Sequence, residues 1–136
     1  MIILTIVISC IYFVVVKVSL YCTIIGIVIL SIQVVCSLLT FLVNPGMIKP
    51  EPIKKETLEM IKDNIIAYCS KCKIIKKRYR NIYHCTDCDV CVEGFDHHCL
   101  WTGKCIGKWN KPFFMGFVGM TIITFVYTTL IGITCG

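Results

Sequence analysis

The sequence predicts an α-helical integral membrane protein whose apolar helices flank a cytoplasmic, cysteine-rich domain of short β-hairpins and loops. Three observations carry this. The 136 residues are 57% apolar with a mean hydropathy of +0.80, too oily for an ordinary soluble domain. The charges are segregated: 13 of the 14 basic residues and all 8 acidic ones lie between Asn44 and Pro112, a net of +5 there. Seven of the 11 cysteines fall between Cys69 and Cys105.

The elements follow in chain order. Met1 to Val16 is apolar and close to the lower limit of about 17 residues for a span. A signal peptide is the alternative, but the stretch has no basic start and no clear small-residue cleavage site. Lys17 to Ser19 then forms a tight turn. Leu20 to Val43 is 24 residues without a charge, enough for a second span, so residues 1–43 hold two transmembrane helices. Asn44-Pro45-Gly46 stops the second, since Pro cannot continue a helix and Gly eases the exit. Residues 44–67 form a linker. Within it Glu51 to Ile66 carries Ile53, Leu58, Ile61 and Ile65 at partly helical spacing. This predicts a short amphipathic helix with Pro52 in its first turn, lying on the membrane surface or on the cysteine-rich domain. A solvated linker helix fits equally well.

Residues 68–112 have little apolar sequence with which to build a core. Phe113 to Cys135 is a further 23 residues without a charge, so 113–136 is a third transmembrane helix. Trp109, Phe113 and Phe114 fit an interfacial aromatic belt. The basic residues place the central loop on the cytoplasmic side, because positive charge is retained there.

A cytoplasmic loop keeps its thiols reduced, which argues against disulfides. The spacing argues for zinc. Cys69-x-x-Cys72 and Cys85-x-x-Cys88 are paired metal-ligand motifs, and His84, Cys91, His98 and Cys105 supply further ligands. Two tetrahedral sites need eight ligands, and the loop offers seven Cys and three His. Two sites of three cysteines and one histidine leave one Cys and one His, a nucleophile and its base. One all-cysteine site and one mixed site consume every Cys and leave two histidines idle. Counting alone leaves both open.

The run CSKC, HCTDCDVC, FDHHCLW, CIGKWN, from Tyr68 to Phe114, resembles the DHHC cysteine-rich domain of protein S-acyltransferases, the palmitoyltransferases of cellular membranes. The resemblance implies two interleaved structural zinc sites. Cys69, Cys72, His84 and Cys91 form one, and Cys85, Cys88, His98 and Cys105 the other. It implies that Cys99 is the acylated nucleophile, His97 its base and Asp96 the group that orients the base. Acyl-CoA is then the acyl donor, and the acceptors are cysteines of membrane-associated proteins. The location would be an endomembrane (ER or Golgi) or the plasma membrane. Trp101 and Phe114 are candidates to line the acyl cavity, and Lys77, Arg78 and Arg80 to meet the CoA phosphates. Each also reads simply as an interface anchor or a lipid-facing cation.

The sequence departs from the family pattern in places. Leu100 stands where Pro is usual, Gly103-Lys104 where Asn-Asn is usual, and the spacer from Cys72 to His84 is two residues longer. The family has a fourth helix and a Thr-Thr-x-Glu motif, so the chain is expected to be truncated after its third helix. A membrane-anchored zinc adaptor that binds proteins is the competing reading. Nucleic-acid binding is disfavoured by the modest charge and by two flanking spans.

Overall fold

The computed structural model describes residues 6–8, 11, 19–50, 52, 55–62, 67–76 and 80–135. Residues 6–8 and 11 are helical. The rest of the proposed first span, the turn at Lys17, and Lys77 and Arg78 lie outside the described residues. The chain divides into a helical unit, Met1–Thr40 with Pro112–Gly136, and a hairpin unit, Phe41–Lys111.

Helix α1 runs Leu20–Leu42. Ser19 starts it, its carbonyl accepting from the Thr23 N–H at 3.1 Å. Its many Ile, Val and Thr residues are indifferent helix formers. A helix is still the conformation that satisfies every backbone group within one apolar segment. Helix α3, Lys111–Cys135, begins two residues before Phe113 because Pro112 is tolerated in a first turn. Both helices are long and apolar enough to cross a membrane.

The helical unit is built inside out relative to a water-soluble protein. Gln33, Thr40 and Thr124 are buried, while Leu20, Ile24, Val28, Phe125 and Ile133 are exposed. The Gln33 Nε2 donates to Thr121 Oγ1 at 3.1 Å, and Thr124 Oγ1 donates to Gln33 Oε1 at 2.7 Å. Tyr127 Oη donates to the Cys22 carbonyl at 2.6 Å. Helices in an apolar solvent associate through such polar contacts.

In the hairpin unit, Asn44 Oδ1 accepts from the N–H groups of Gly46 and Met47, both at 2.8 Å. This turn, with Gly46 at φ 110°, ends the helical direction. Helix α2, Lys55–Lys62, occupies part of the expected amphipathic stretch. Pro52 is not helical and precedes it rather than sitting in its first turn. The close pair Pro50 and Pro52 disfavours helical entry, since each proline pushes the residue before it toward extended geometry.

Three antiparallel hairpins follow. They are β1 (Tyr68–Cys69) with β2 (Ile74–Ile75), β3 (Ile82–Cys85) with β4 (Val90–Glu93), and β5 (His97–Cys99) with β6 (Lys104–Ile106). Residues 46–48 lie along β4 through the Glu93 N–H to Gly46 and Ile48 N–H to Cys91 bonds. Glu93, buried, ties the unit together. Its Oε2 is 2.6 Å from Arg80 Nη2 and its Oε1 2.7 Å from Lys108 Nζ. The Arg80 guanidinium first, and Lys108 second, hold this carboxyl below the usual range. Asn110, fully buried, accepts from the Gly107 N–H at 2.9 Å and donates to the Cys105 carbonyl at 3.0 Å.

Candidate functional site

Strand alternation distributes the metal-ligand candidates. Successive side chains on a strand point to opposite faces, and cross-strand partners share a face. On β3 and β4, His84 pairs with Cys91, and both belong to a cluster with Cys69 and Cys72. On β5 and β6, His98 pairs with Cys105, and both belong to a cluster with Cys85 and Cys88. His84 and Cys85 are neighbours on one strand and so face different clusters. This is how two interleaved sites arise from one run of sequence.

In each cluster all four ligand atoms lie within 4.8 Å of one another. The His84 Nδ1 is 3.1 Å from Cys72 Sγ and 3.9 Å from Cys91 Sγ. The His98 Nδ1 is 3.3 Å from Cys88 Sγ and 3.6 Å from Cys85 Sγ, and the Cys105 and Cys88 sulfurs are 3.4 Å apart. A tetrahedral zinc sets sulfurs about 3.8 Å apart and sulfur from nitrogen about 3.6 Å. The Nε2 of His84 is buried without a hydrogen-bond partner, 3.3 Å from Asp89 Oδ1. A carboxylate at that distance can orient a ligating imidazole.

The donor set itself asks for a cation. Burial, then the neighbouring Cys69 and Cys72 sulfurs, push the Cys91 thiol up to about 12. Burial, then Cys85 and Cys88, push Cys105 up as well. Three crowded sulfurs cannot all ionise together, and a divalent ion at their centre removes that repulsion. Each cluster can therefore hold one metal ion.

Cys99 stands apart from both clusters. It is 2% exposed and sits two residues from His97 on β5, so both use the strand face opposite His98. The His97 Nδ1 is 3.1 Å from Asp96 Oδ2. Burial raises the Cys99 thiol. The Thr102 hydroxyl and N–H, His97 and the Trp101 N–H together outweigh it, so the thiol lies below its usual range. Lys111 Nζ contacts Asp96 Oδ1 at 2.6 Å. It holds the Asp96 carboxyl below the usual range, with His97 second.

Lys111 and Thr102 did not stand out in the sequence. Lys111 lies 15 residues from Asp96, and only the β5–β6 hairpin brings them together. Thr102 lies next to a motif whose charged residues draw attention first. Other candidates fall elsewhere. Trp101 is 70% exposed, Phe114 lies in the first turn of α3 in the helical unit, and Arg80 is engaged by Glu93. Lys104 Nζ donates to the carbonyls of Phe41 and Val43, at the end of α1.

The family model described as DHHC palmitoyltransferase matches residues 62–135. Palmitoyltransferase Hip14 of Drosophila melanogaster is 40% identical over 96 residues, covering 65% of this chain and 15% of that protein. Palmitoyltransferase ZDHHC14 of Homo sapiens is 39% identical over 94 residues, 65% of this chain and 19% of that protein. Palmitoyltransferase ZDHHC18-A of Danio rerio is 44% identical over 72 residues, 52% of this chain and 15% of that protein. The chain thus spans less than a fifth of each of these relatives. With two Cys/His clusters, an Asp-His-His-Cys whose cysteine stands outside both, and a family match over more than half its length, the chain belongs to the DHHC palmitoyltransferase family.

Proposed function

We propose that this chain is the catalytic part of an integral-membrane protein S-acyltransferase. Cys99 takes a fatty acyl group from acyl-CoA and passes it to a cysteine of a protein substrate. The observation that carries this is the exclusion of the buried Cys99 thiol from both metal clusters, beside a His97 already paired to Asp96.

Asp96 holds His97 Nδ1, fixing the tautomer in which the other ring nitrogen is the proton acceptor. That nitrogen takes the Cys99 proton, and the thiolate attacks the carbonyl carbon of the acyl-CoA thioester. The bond to the CoA sulfur breaks as the Cys99–acyl bond forms. The departing thiolate takes the proton from His97. A substrate thiol then gives its proton to His97 and attacks the acyl-Cys99 thioester, which regenerates the Cys99 thiol. No electrons are gained or lost overall.

Cys69, Cys72, His84 and Cys91 would hold one zinc, and Cys85, Cys88, His98 and Cys105 the other. Each metal, when bound, would act as a structural cross-link that fixes the hairpins. The inside-out helical unit and the clustering of basic residues support spanning helices with the hairpin unit on the cytoplasmic side. There the CoA phosphates remain in water, with Lys77 and Arg78 as their nearest sequence candidates and Trp101 available to the acyl chain.

The test is acylation of membrane-inserted chain by a labelled fatty acyl-CoA. A hydroxylamine-sensitive acyl group should appear on Cys99. Cys99→Ser should abolish it with two zinc ions retained, and His97→Ala should slow it by roughly 10² to 10⁴. Loss of a zinc in Cys99→Ser would show that Cys99 is a ligand. A wild-type chain with both zincs and no acyl group would favour a protein-binding zinc module.

A further inference from the structure

The three hairpins share one backbone plan. In each, a cysteine ends the first strand and pairs with the residue five positions later: Cys69 with Ile74, Cys85 with Val90, and Cys99 with Lys104. In each, the fourth residue after that cysteine is left-handed: Lys73 at φ 55°, Asp89 at 52° and Gly103 at 59°. The hairpins differ at the third residue after the cysteine. It is a metal-ligand candidate, Cys72 or Cys88, in two of them and Thr102 in the other.

We infer that the β5–β6 hairpin is a third copy of the metal-binding knuckle whose second ligand is replaced by Thr102, and that Thr102 is a positioning residue for Cys99. The positioning role rests on the acyltransferase reading. The knuckle does not.

The chemistry follows from the exchange of a thiol for a hydroxyl. Two thiolates three residues apart chelate zinc, whereas a neutral hydroxyl is a poor ligand for a metal that prefers sulfur and imidazole. Thr102 therefore leaves the Cys99 sulfur unchelated while the backbone keeps the register and the left-handed turn of the other two hairpins. The side chain is also fixed. Thr102 N lies 3.2 Å and Thr102 Oγ1 3.3 Å from the Cys99 carbonyl oxygen. β-branching limits it to few rotamers. His97, on the Cys99 face, carries the Asp96 carboxylate on its Nδ1. That is the support a histidine metal ligand ordinarily has. One more thiol would complete a donor set of two sulfurs and an imidazole.

The experiment uses three variants of the whole chain. Thr102→Cys, loaded with cobalt(II), should bind three equivalents where the wild type binds two, and should lose acylation. Two equivalents with a wild-type acylation rate would overturn the knuckle. Thr102→Val keeps the shape without the hydroxyl. It should acylate up to roughly tenfold more slowly, the scale of the hydrogen bond lost to the Cys99 carbonyl, with two metals retained. Thr102→Ser restores the hydroxyl and should restore the rate. Thr102→Val at the wild-type rate, or Thr102→Ser as slow as Thr102→Val, would overturn the positioning role. A wild-type chain that takes no acyl group would refute the acyltransferase reading instead, and the cobalt count of Thr102→Cys would still decide the knuckle.

Discussion

The two units of this chain are held together by opposite means. The helical unit has apolar surface in abundance and spends polar groups on its interior: Gln33, Thr40 and Thr124 are buried, and hydroxyls return to carbonyls one turn back, as from Ser31 to Ile27. The hairpin unit has almost no apolar interior. Apart from cysteines, the buried aliphatic side chains among its described residues are Pro45, Ile74, Ile82, Val92 and Ile106. Two Cys/His clusters stand where a hydrophobic core would be. A short chain in water that cannot bury enough apolar area needs such staples. A helix in an apolar solvent needs no core, because its backbone is already satisfied. The difference teaches that each unit should fail under a different insult.

Metal removal gives the largest contrast. Chelation, or Cys88→Ala, should melt the hairpin unit, because metal binding to such a site amounts to folding free energy on the order of 10 kcal/mol. Hydrogen exchange should show β1 to β6 losing protection while α1 and α3 keep theirs. Loss of protection in both units together would break the comparison.

A second contrast lies in Glu93. Removing its charge takes away the carboxylate that Arg80 and Lys108 share and unties β4 from the segment before α3. Both cations are partly exposed, so Glu93→Gln should cost about 2 kcal/mol rather than the roughly 3–5 of a fully buried pair. Denaturant unfolding of zinc-loaded protein reads this. The carboxyl is depressed in the fold, so its contribution is present above the ordinary value of 4.5. It fades as pH falls through the lower folded value. A gap between wild type and Glu93→Gln that widened in acid would contradict the assignment.

The sequence showed these units unequally. The span Leu20 to Val43 matches α1 within a residue because a charge-free run and an Asn-Pro-Gly stop are both local signals. Spacing marked the cysteines and histidines as metal-ligand candidates, but only the family resemblance implied the division into the two clusters that strand alternation produces. The contacts of Lys111 with Asp96, and of Arg80 and Lys108 with Glu93, were not legible. They join residues 13 to 15 apart whose meeting depends on the hairpin register. The likeness of the third hairpin to the other two was hidden because its side chain at position 102 differs while its backbone does not.

The smallest effect belongs to the helical unit. Gln33 is 1% exposed and bonded to both Thr121 and Thr124, which in a water-soluble core would make it costly to lose. Here its partners have somewhere else to turn. Thr121 Oγ1 already donates to the Phe117 carbonyl at 2.9 Å, and Thr124 Oγ1 can donate to Met120 at 2.8 Å. Gln33→Leu therefore strands no donor and keeps most of the side-chain volume. Hydrogen bonds between helices in an apolar solvent average about 0.6 kcal/mol and reach about 1.7 at most. The variant should lose about 1 kcal/mol or less when unfolding is followed in mixed detergent, well below the loss at Glu93. A loss as large as that of Glu93→Gln would mean that the helical unit also depends on one buried polar centre, and the contrast between the two units would fall.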